Sequence, residues 1–341
     1  MKKEKIFQEE KKVMKKKIIA AFLTAAMTIG SLSGVTVFAA DASTDENVEM
    51  ADASDVDGTT ITFWHSMGGV NGEAIDTLVK KFNDENEYGI TVDAQYQGEY
   101  DDSLNKLKSA QIGNMGADLV QVYEIGTRFM IDSGWIVPMQ QMIDADNYDV
   151  SEIEPNLAAY YTIDNELYSM PFNSSTPIMY YNKDMFDKAG IADVPDSLEG
   201  IDKIGEQLMS KGGASEVMSL GIYGWFFEEL IGKQGLNYAN NGNGRDKTAT
   251  AVEFDKNGAA KNILTEWQKL NKDGYAPIVG KGGDAGLADF SAGKSAITLG
   301  STASLKQILQ DVNGKFNVGT AYFPKAVSYT HLRAHETAAN L

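Results

Sequence analysis

Three places in this chain put hydrogen-bonding side chains beside aromatic ones directly after a β-prone run. They are His65 and Ser66 after 60–64, the 96–100 loop with Tyr96 and Tyr100 after 90–94, and Tyr123 with Glu124 after 117–122. Aromatic rings beside polar groups suit the capture of a polyhydroxylated or otherwise polar small molecule. Glu124 has a second reading, as an acidic residue opening a helix and complementing its dipole. Tyr100, next to Asp101, has one too, as a solvated loop aromatic. Ser301 stands at an expected strand-to-helix turn, where free backbone N–H groups favour an anion, and it equally suits a plain N-cap.

Signals for catalysis are incomplete. The chain has no cysteine and three histidines, so thiolate chemistry is excluded. His65 is the one histidine ahead of the last fifteen residues, and neither a two-histidine metal site nor a nucleophile–base–orienter set can be assembled around it. Residues Ala292, Gly293, Lys294 and Ser295 end like a phosphate loop, but its first glycine would fall at Ala288, so a turn into a strand is the better reading. Asp55, Asp57 and Gly58 resemble part of a calcium loop without its remaining ligands and read as solvated linker.

The elements that must position these residues alternate. A strand over 60–64 precedes a helix with Ile75, Leu78, Val79 and Phe82 on one face. A strand over 90–94 precedes a helix carrying Leu104 and Leu107, and 117–122 reads as a third, buried strand. Such alternation predicts a parallel sheet with right-handed crossovers, whose ligands bind beyond the carboxyl ends of the strands. Farther on, 167–172 and 178–181 read as strands, with Asn182 or Asp184 capping a short helix that stops near Gly190. Helices are expected over 198–209, 225–233 and 256–270, Gly- and Asn-rich loops over 235–246 and 280–286, and a strand over 296–299 that returns to the first lobe. Ser301 or Thr302 then opens a helix with Leu305, Ile308 and Leu309.

Residues 1–40 read as a signal peptide, with lysines from 11 to 17, an apolar run from 18 to about 38, and cleavage after Ala39 or Ala40; Met14 is the better start. A retained anchor is the competing reading, since about 20 apolar residues span a bilayer. Without cysteine there is no lipid attachment at the N-terminus, and an exported protein, periplasmic or extracellular, is expected. Residues 41–58 are acidic and poor in bulky apolar groups, as in a disordered linker. The formal net charge of −18 favours solubility and opposes nucleic-acid binding. Residues 327–341 hold SYTHLRAHET, which resembles translated sequencing-adapter DNA; a non-native tail on a C-terminally truncated chain is expected.

Residues 171–184, PFNSSTPIMYYNKD, with FWHSM at 63–67 and QVYEIGT at 121–127, resemble family 1 of the extracellular solute-binding proteins of ABC importers, most closely the glycerol-3-phosphate-binding ones. The resemblance implies a two-lobed α/β periplasmic-binding-protein fold with a hinge and an interlobe cleft. Lobe 1 would comprise 59–176 and 300–326, and lobe 2, incomplete, 177–299. It further implies a non-enzymatic receptor for sn-glycerol 3-phosphate or a glycerophosphodiester, working with a membrane permease as a monomer, without a cofactor. Tyr100 and Glu124 would hold hydroxyls, Trp225 would wall the cleft, and Ser175 and Ser301 would donate to phosphate. Ser174 and Ser175 alternatively satisfy turn backbone before Thr176 and Pro177. Ile222 stands where the family carries a second tryptophan, which leaves the ligand open. A sugar or oligosaccharide is the alternative within the class, and a secreted glycoside hydrolase, needing facing carboxylates about 5 to 9.5 Å apart, is the alternative outside it.

Overall fold

The computed structural model describes residues 55–113 and 115–327. The chain divides into two compact units, Met1–Ser174 and Ser175–Leu341. The expected signal peptide, most of the linker and residues 328–341 of the expected tail lie outside the described residues. The linker's last residues do not behave as linker: Val56 is fully buried against Tyr88 and Ile90, and the Gly58 N–H donates to the Gly89 carbonyl.

The first unit is built on a parallel sheet in the order β2-β1-β3, with β1 Thr60–His65, β2 Thr91–Tyr96 and β3 Leu119–Val120. Helices Gly69–Glu85 and Tyr100–Ile112 connect them, as the alternating pattern requires. Two details differ from the sequence reading. On the first helix Ile75 is buried but Leu78 is 56% exposed, so the covered face is narrower than four apolar residues. β3 is two residues long, and at each end side chains supply the acceptors: the Asp118 carboxylate accepts from the Thr62 N–H at 2.8 Å and the Gln121 carboxamide from the Ser66 N–H at 2.9 Å, while the Asp118 and Gln121 N–H groups still donate to the Thr62 and Trp64 carbonyls. Of the strand expected over 167–172 only Leu167 is in a strand, β5 Glu166–Leu167, paired with β4 Thr162–Ile163 in a hairpin turned by Asp164 and Asn165, both at positive φ.

The second unit holds a mixed sheet in the order β10-β6-β9-β7-β8, comprising β6 Pro177–Asn182, β7 Glu216–Ile222, β8 Ile278–Lys281, β9 Ser295–Ser301 and β10 Val318–Tyr322. β6 runs antiparallel to β9 and β10, whereas β7 is parallel to β8 and β9. β9 is buried from Ser295 to Gly300, which explains its apolar run: a strand covered on both faces loses the polar alternation. One face packs Ile297 and Leu299 with Phe186, Ile201, Phe226 and Ile263. The other packs Tyr180 with Leu287, Phe290 and Ile308. The assignment of 300–326 to the first lobe therefore differs from the structure, which places these residues in the second unit. β10 pairs with β6 over five residues, and the Lys325 carbonyl accepts from the Leu198 N–H at 2.9 Å.

Helix signals in this unit were readable locally. Asn182, 3% exposed, accepts from the Met185 N–H at 3.1 Å and caps Lys183–Ala189. Gly190, at φ 71°, ends that helix in the left-handed region, where a side chain would be strained. Loss of a buried cap leaves a donor unsatisfied, so Asn182→Ala is expected to lower unfolding free energy by about 1 to 2 kcal/mol in urea titration. A loss below about 0.3 kcal/mol would mean the cap contributes nothing.

Candidate functional site

In the first unit all three strands are parallel, so their carboxyl ends share one edge. His65, Tyr96 and the residues after Val120 stand there. Tyr100 opens the Tyr100–Ile112 helix, and its ring stacks on Tyr123 with centroids 5.3 Å apart and planes 12° apart. Glu124 begins a 3-10 turn, Glu124–Gly126, that leads into the Thr127–Ser133 helix, so its helix-opening role is real. Its carbonyl accepts from the Thr127 hydroxyl at 2.7 Å and from the Tyr160 hydroxyl at 3.3 Å. Its carboxylate takes part in no hydrogen bond or ion pair among the described residues, yet its charge is felt at Tyr100 and Tyr161. Burial pushes the Tyr100 phenol above the ordinary tyrosine value, Glu124 and Glu99 add to that, and a hydrogen bond from Asn173 opposes it. The phenol is thus held protonated beside a free acceptor, an arrangement that can donate to one ligand atom and accept from another.

His65 is 3% exposed at the end of β1. Its Nδ1 accepts from the Met67 N–H at 3.3 Å, so it organises the turn after the strand. Burial lowers its pKa and Asp76 partly offsets this.

The second unit also gathers its candidates at one edge. β7 and β9 are parallel, so Trp225, which follows β7, and Ser301, which ends β9, lie at the same end of the sheet. β6 runs the other way, with Pro177 opposite Ser301, so Ser175 enters from that end too. Residues Thr176 and Thr302 lock the corner: the Thr302 N–H donates to the Thr176 carbonyl at 2.9 Å, and the Thr176 N–H donates to the Thr302 hydroxyl at 3.1 Å. Ser175 is exposed. Ser301 Oγ accepts from the Ala303 N–H at 3.0 Å and caps the 3-10 turn Thr302–Ser304, which realises the N-cap reading and leaves its hydroxyl proton to donate. Trp225, in the first turn of Gly224–Gly232, lies partly buried beside Tyr223 and Phe226. Ile222 is 48% exposed, an apolar side chain left at this edge. The 280–286 loop leans on the end of β7; a Cβ on Gly221 would stand 2.3 Å from the Gly282 carbonyl oxygen, so only glycine fits there.

Each unit brings its own candidates together: Tyr100 with Glu124 in the first, Ser175, Ser301 and Trp225 in the second. Sequence reasoning missed the roles of Gln121 and Asn173. Gln121 Nε2 donates to Asn173 Oδ1 at 2.6 Å, and Asn173 Nδ2 lies 3.4 Å from the Tyr100 hydroxyl. Both residues lie inside the motifs quoted above, but nothing local signals a pairing across 52 residues.

The profile of the bacterial extracellular solute-binding protein family matches residues 77–336. The sn-glycerol-3-phosphate-binding periplasmic protein UgpB of Salmonella paratyphi A is 37% identical over 275 residues, 78% of this chain and 61% of that protein. The chain thus spans about three-fifths of the length of the curated relatives it matches. Among solved structures, UgpB from Mycobacterium tuberculosis in complex with glycerophosphocholine superimposes with a TM-score of 0.64 at 24% identity, over 78% of this chain and 67% of that one. The GacH receptor of Streptomyces glaucescens GLA.O, solved unliganded and with acarbose, gives a TM-score of 0.63 at 21% identity over the same shares. These likenesses establish the fold, the α/β class of the two-lobed solute-binding proteins.

The buried imidazole yields a pH prediction. Its pKa is depressed in the folded state, so the unfolded chain takes up the proton first as pH falls below about 6.5, and stability declines through that window. The NMR signal of His65 is expected to titrate with a midpoint below 6.5, and His65→Gln to flatten the loss of stability. A midpoint at or above 6.5 would show that burial does not dominate.

Proposed function

The chain belongs to the bacterial extracellular solute-binding protein family, and from that premise we propose that it is the binding receptor of an ABC importer, capturing sn-glycerol 3-phosphate or a glycerophosphodiester. The observation that carries the reading is the ring-stacked Tyr100 within the field of Glu124, whose carboxylate has no hydrogen bond or ion pair among the described residues, beyond the carboxyl ends of three parallel strands. A carboxylate that accepts and a phenol that donates suit the hydroxyls of a glycerol backbone. In this reading Trp225 supplies an apolar wall, and Ser175 and Ser301 offer hydroxyl donors to a phosphate. Of the relatives named above, the Salmonella protein is an sn-glycerol-3-phosphate-binding protein and the Mycobacterium tuberculosis UgpB was solved with glycerophosphocholine, whereas GacH was solved with acarbose. They are binding proteins, and that kinship supports reading this chain as a receptor without turnover. Export, a monomeric state and delivery to a permease belong to the same proposal; no helix among the described residues is long and apolar enough to cross a membrane.

A sugar or oligosaccharide is the second reading, favoured by the Tyr100–Tyr123 stack, because stacked rings present a flat apolar face to a pyranose. Losing a charged acceptor for a ligand hydroxyl costs about 1.5 to 3 kcal/mol, and about 1.4 kcal/mol is a factor of ten. Glu124→Ala and Trp225→Ala are each expected to weaken binding of glycerol 3-phosphate by about tenfold or more in calorimetry, with a smaller loss for Ser175→Ala, whose neutral hydrogen bond is worth about 1 kcal/mol. Undiminished affinity in Glu124→Ala would remove the carboxylate from the site. Tight binding of maltose with none of the phosphates would move the receptor to sugar uptake, and turnover of a chromogenic glycoside would make it an enzyme.

A further inference from the structure

A line of hydrogen bonds runs through the first unit to the Tyr100 phenol, and its direction is set by the main chain. The Ser66 N–H can only donate, and it donates to Gln121 Oε1 at 2.9 Å. That contact fixes the carboxamide, so Gln121 turns its Nε2 to Asn173 Oδ1 at 2.6 Å. Asn173 in turn directs its Nδ2 at the Tyr100 hydroxyl, 3.4 Å away, and at the Met67 sulfur, 3.3 Å away. The phenol oxygen therefore accepts a hydrogen bond from the protein side. Its own O–H donates to nothing among the described residues, and its ring is held by the stack on Tyr123, whose hydroxyl donates to the Asp101 carboxylate.

We infer that Gln121 and Asn173 are positioning residues that commit Tyr100 to act as a hydrogen-bond donor to the ligand. The inference rests on the reading of Tyr100 as a ligand contact. A phenol left to itself rotates its proton and serves as donor or acceptor. Here the acceptor side is engaged by Asn173, so the group it meets must carry a lone pair. Glu124 nearby can only accept. One hydroxyl that accepts from Tyr100 while donating to Glu124 satisfies both, and this names the feature recognised: a hydroxyl with both functions in use. An apolar group at that position satisfies neither.

The test separates the relay from the identity of the ligand. In ligand-free protein carrying 13Cζ-tyrosine, the Tyr100 signal is assigned by its absence in Tyr100→Phe. A donated hydrogen bond stabilises a phenolate, so its removal in Asn173→Ala raises the Tyr100 titration midpoint. Gln121→Glu keeps the acceptor for the Ser66 N–H but replaces the donor to Asn173, letting that amide turn its oxygen to the phenol, and is expected to move the midpoint the same way. Both variants should melt within a few degrees of the parent. For glycerol 3-phosphate, Asn173→Ala is expected to cost about three- to tenfold in affinity, the scale of one neutral hydrogen bond, and to cost nothing further in a Tyr100→Phe background. An unmoved midpoint in both variants, or an equal loss with Phe at position 100, would overturn the relay. Absence of binding by the parent protein would instead overturn the proposed function, and the midpoints would still decide the relay.

Discussion

β9 is the strand on which the second unit is organised. It hydrogen-bonds antiparallel to β6 on one side and parallel to β7 on the other, and is buried through Gly300. Because strand direction decides which end of the sheet each connection reaches, this one pairing brings the start of β6, the end of β7 and the end of β9 to a common edge. Ser175, Trp225 and Ser301 stand there for that reason and no other. If β6 were parallel to β9, Ser175 would lie at the opposite end of the sheet. The first unit reaches the same result more simply, since β1 lies between two parallel neighbours.

The side chains around each edge show how polar groups are kept usable. Tyr180, fully buried, donates its hydroxyl to the Ser301 carbonyl at 2.7 Å, and burial pushes its pKa up to about 12. The end of β9 is thereby tied to β6 by a side chain as well as by the ladder. In the first unit, Asp118 accepts from the Thr62 N–H within β1 and Gln121 from the Ser66 N–H just past its end, so side chains stand in for strand acceptors. The chain after Val120 then turns into the Glu124–Gly126 3-10 turn, leaving Tyr123 and Glu124 half-buried at the sheet edge.

Much of this was legible. The Asn182 cap and Gly190 stop are local chemistry; the rule that ligands meet a parallel sheet at its carboxyl edge pointed to His65, Ser66, the 96–100 loop, Tyr123 and Glu124, and family resemblance narrowed these to Tyr100 and Glu124. The sequence was less informative wherever partners lie far apart along the chain. The pairing of β10 with β6 joins residues more than a hundred positions apart, and β10 carries too little alternation to announce itself; as a result the segment 300–326 was assigned to the other lobe. The side-chain acceptors at the ends of β3 were hidden because Asp118 and Gln121 look like ordinary polar residues until their partners are known. Ser175 and Trp225 were chosen by family resemblance, for an exposed serine before a Thr-Pro and a tryptophan opening a helix carry no signal of their own.

In the proposed receptor, solute is recognised by side chains at the sheet edges just described. The most direct measurement is backbone and tyrosine NMR shift mapping during titration with sn-glycerol 3-phosphate. Saturable changes are expected at Ser66 and Met67, Tyr100, Tyr123 and Glu124, and at Trp225 and Ser301, with the opposite ends of the strands, such as Thr60 and Ser295, undisturbed. Changes concentrated at Thr60 or Ser295, or a saturable response that leaves Tyr100 and Glu124 unmoved, would contradict it.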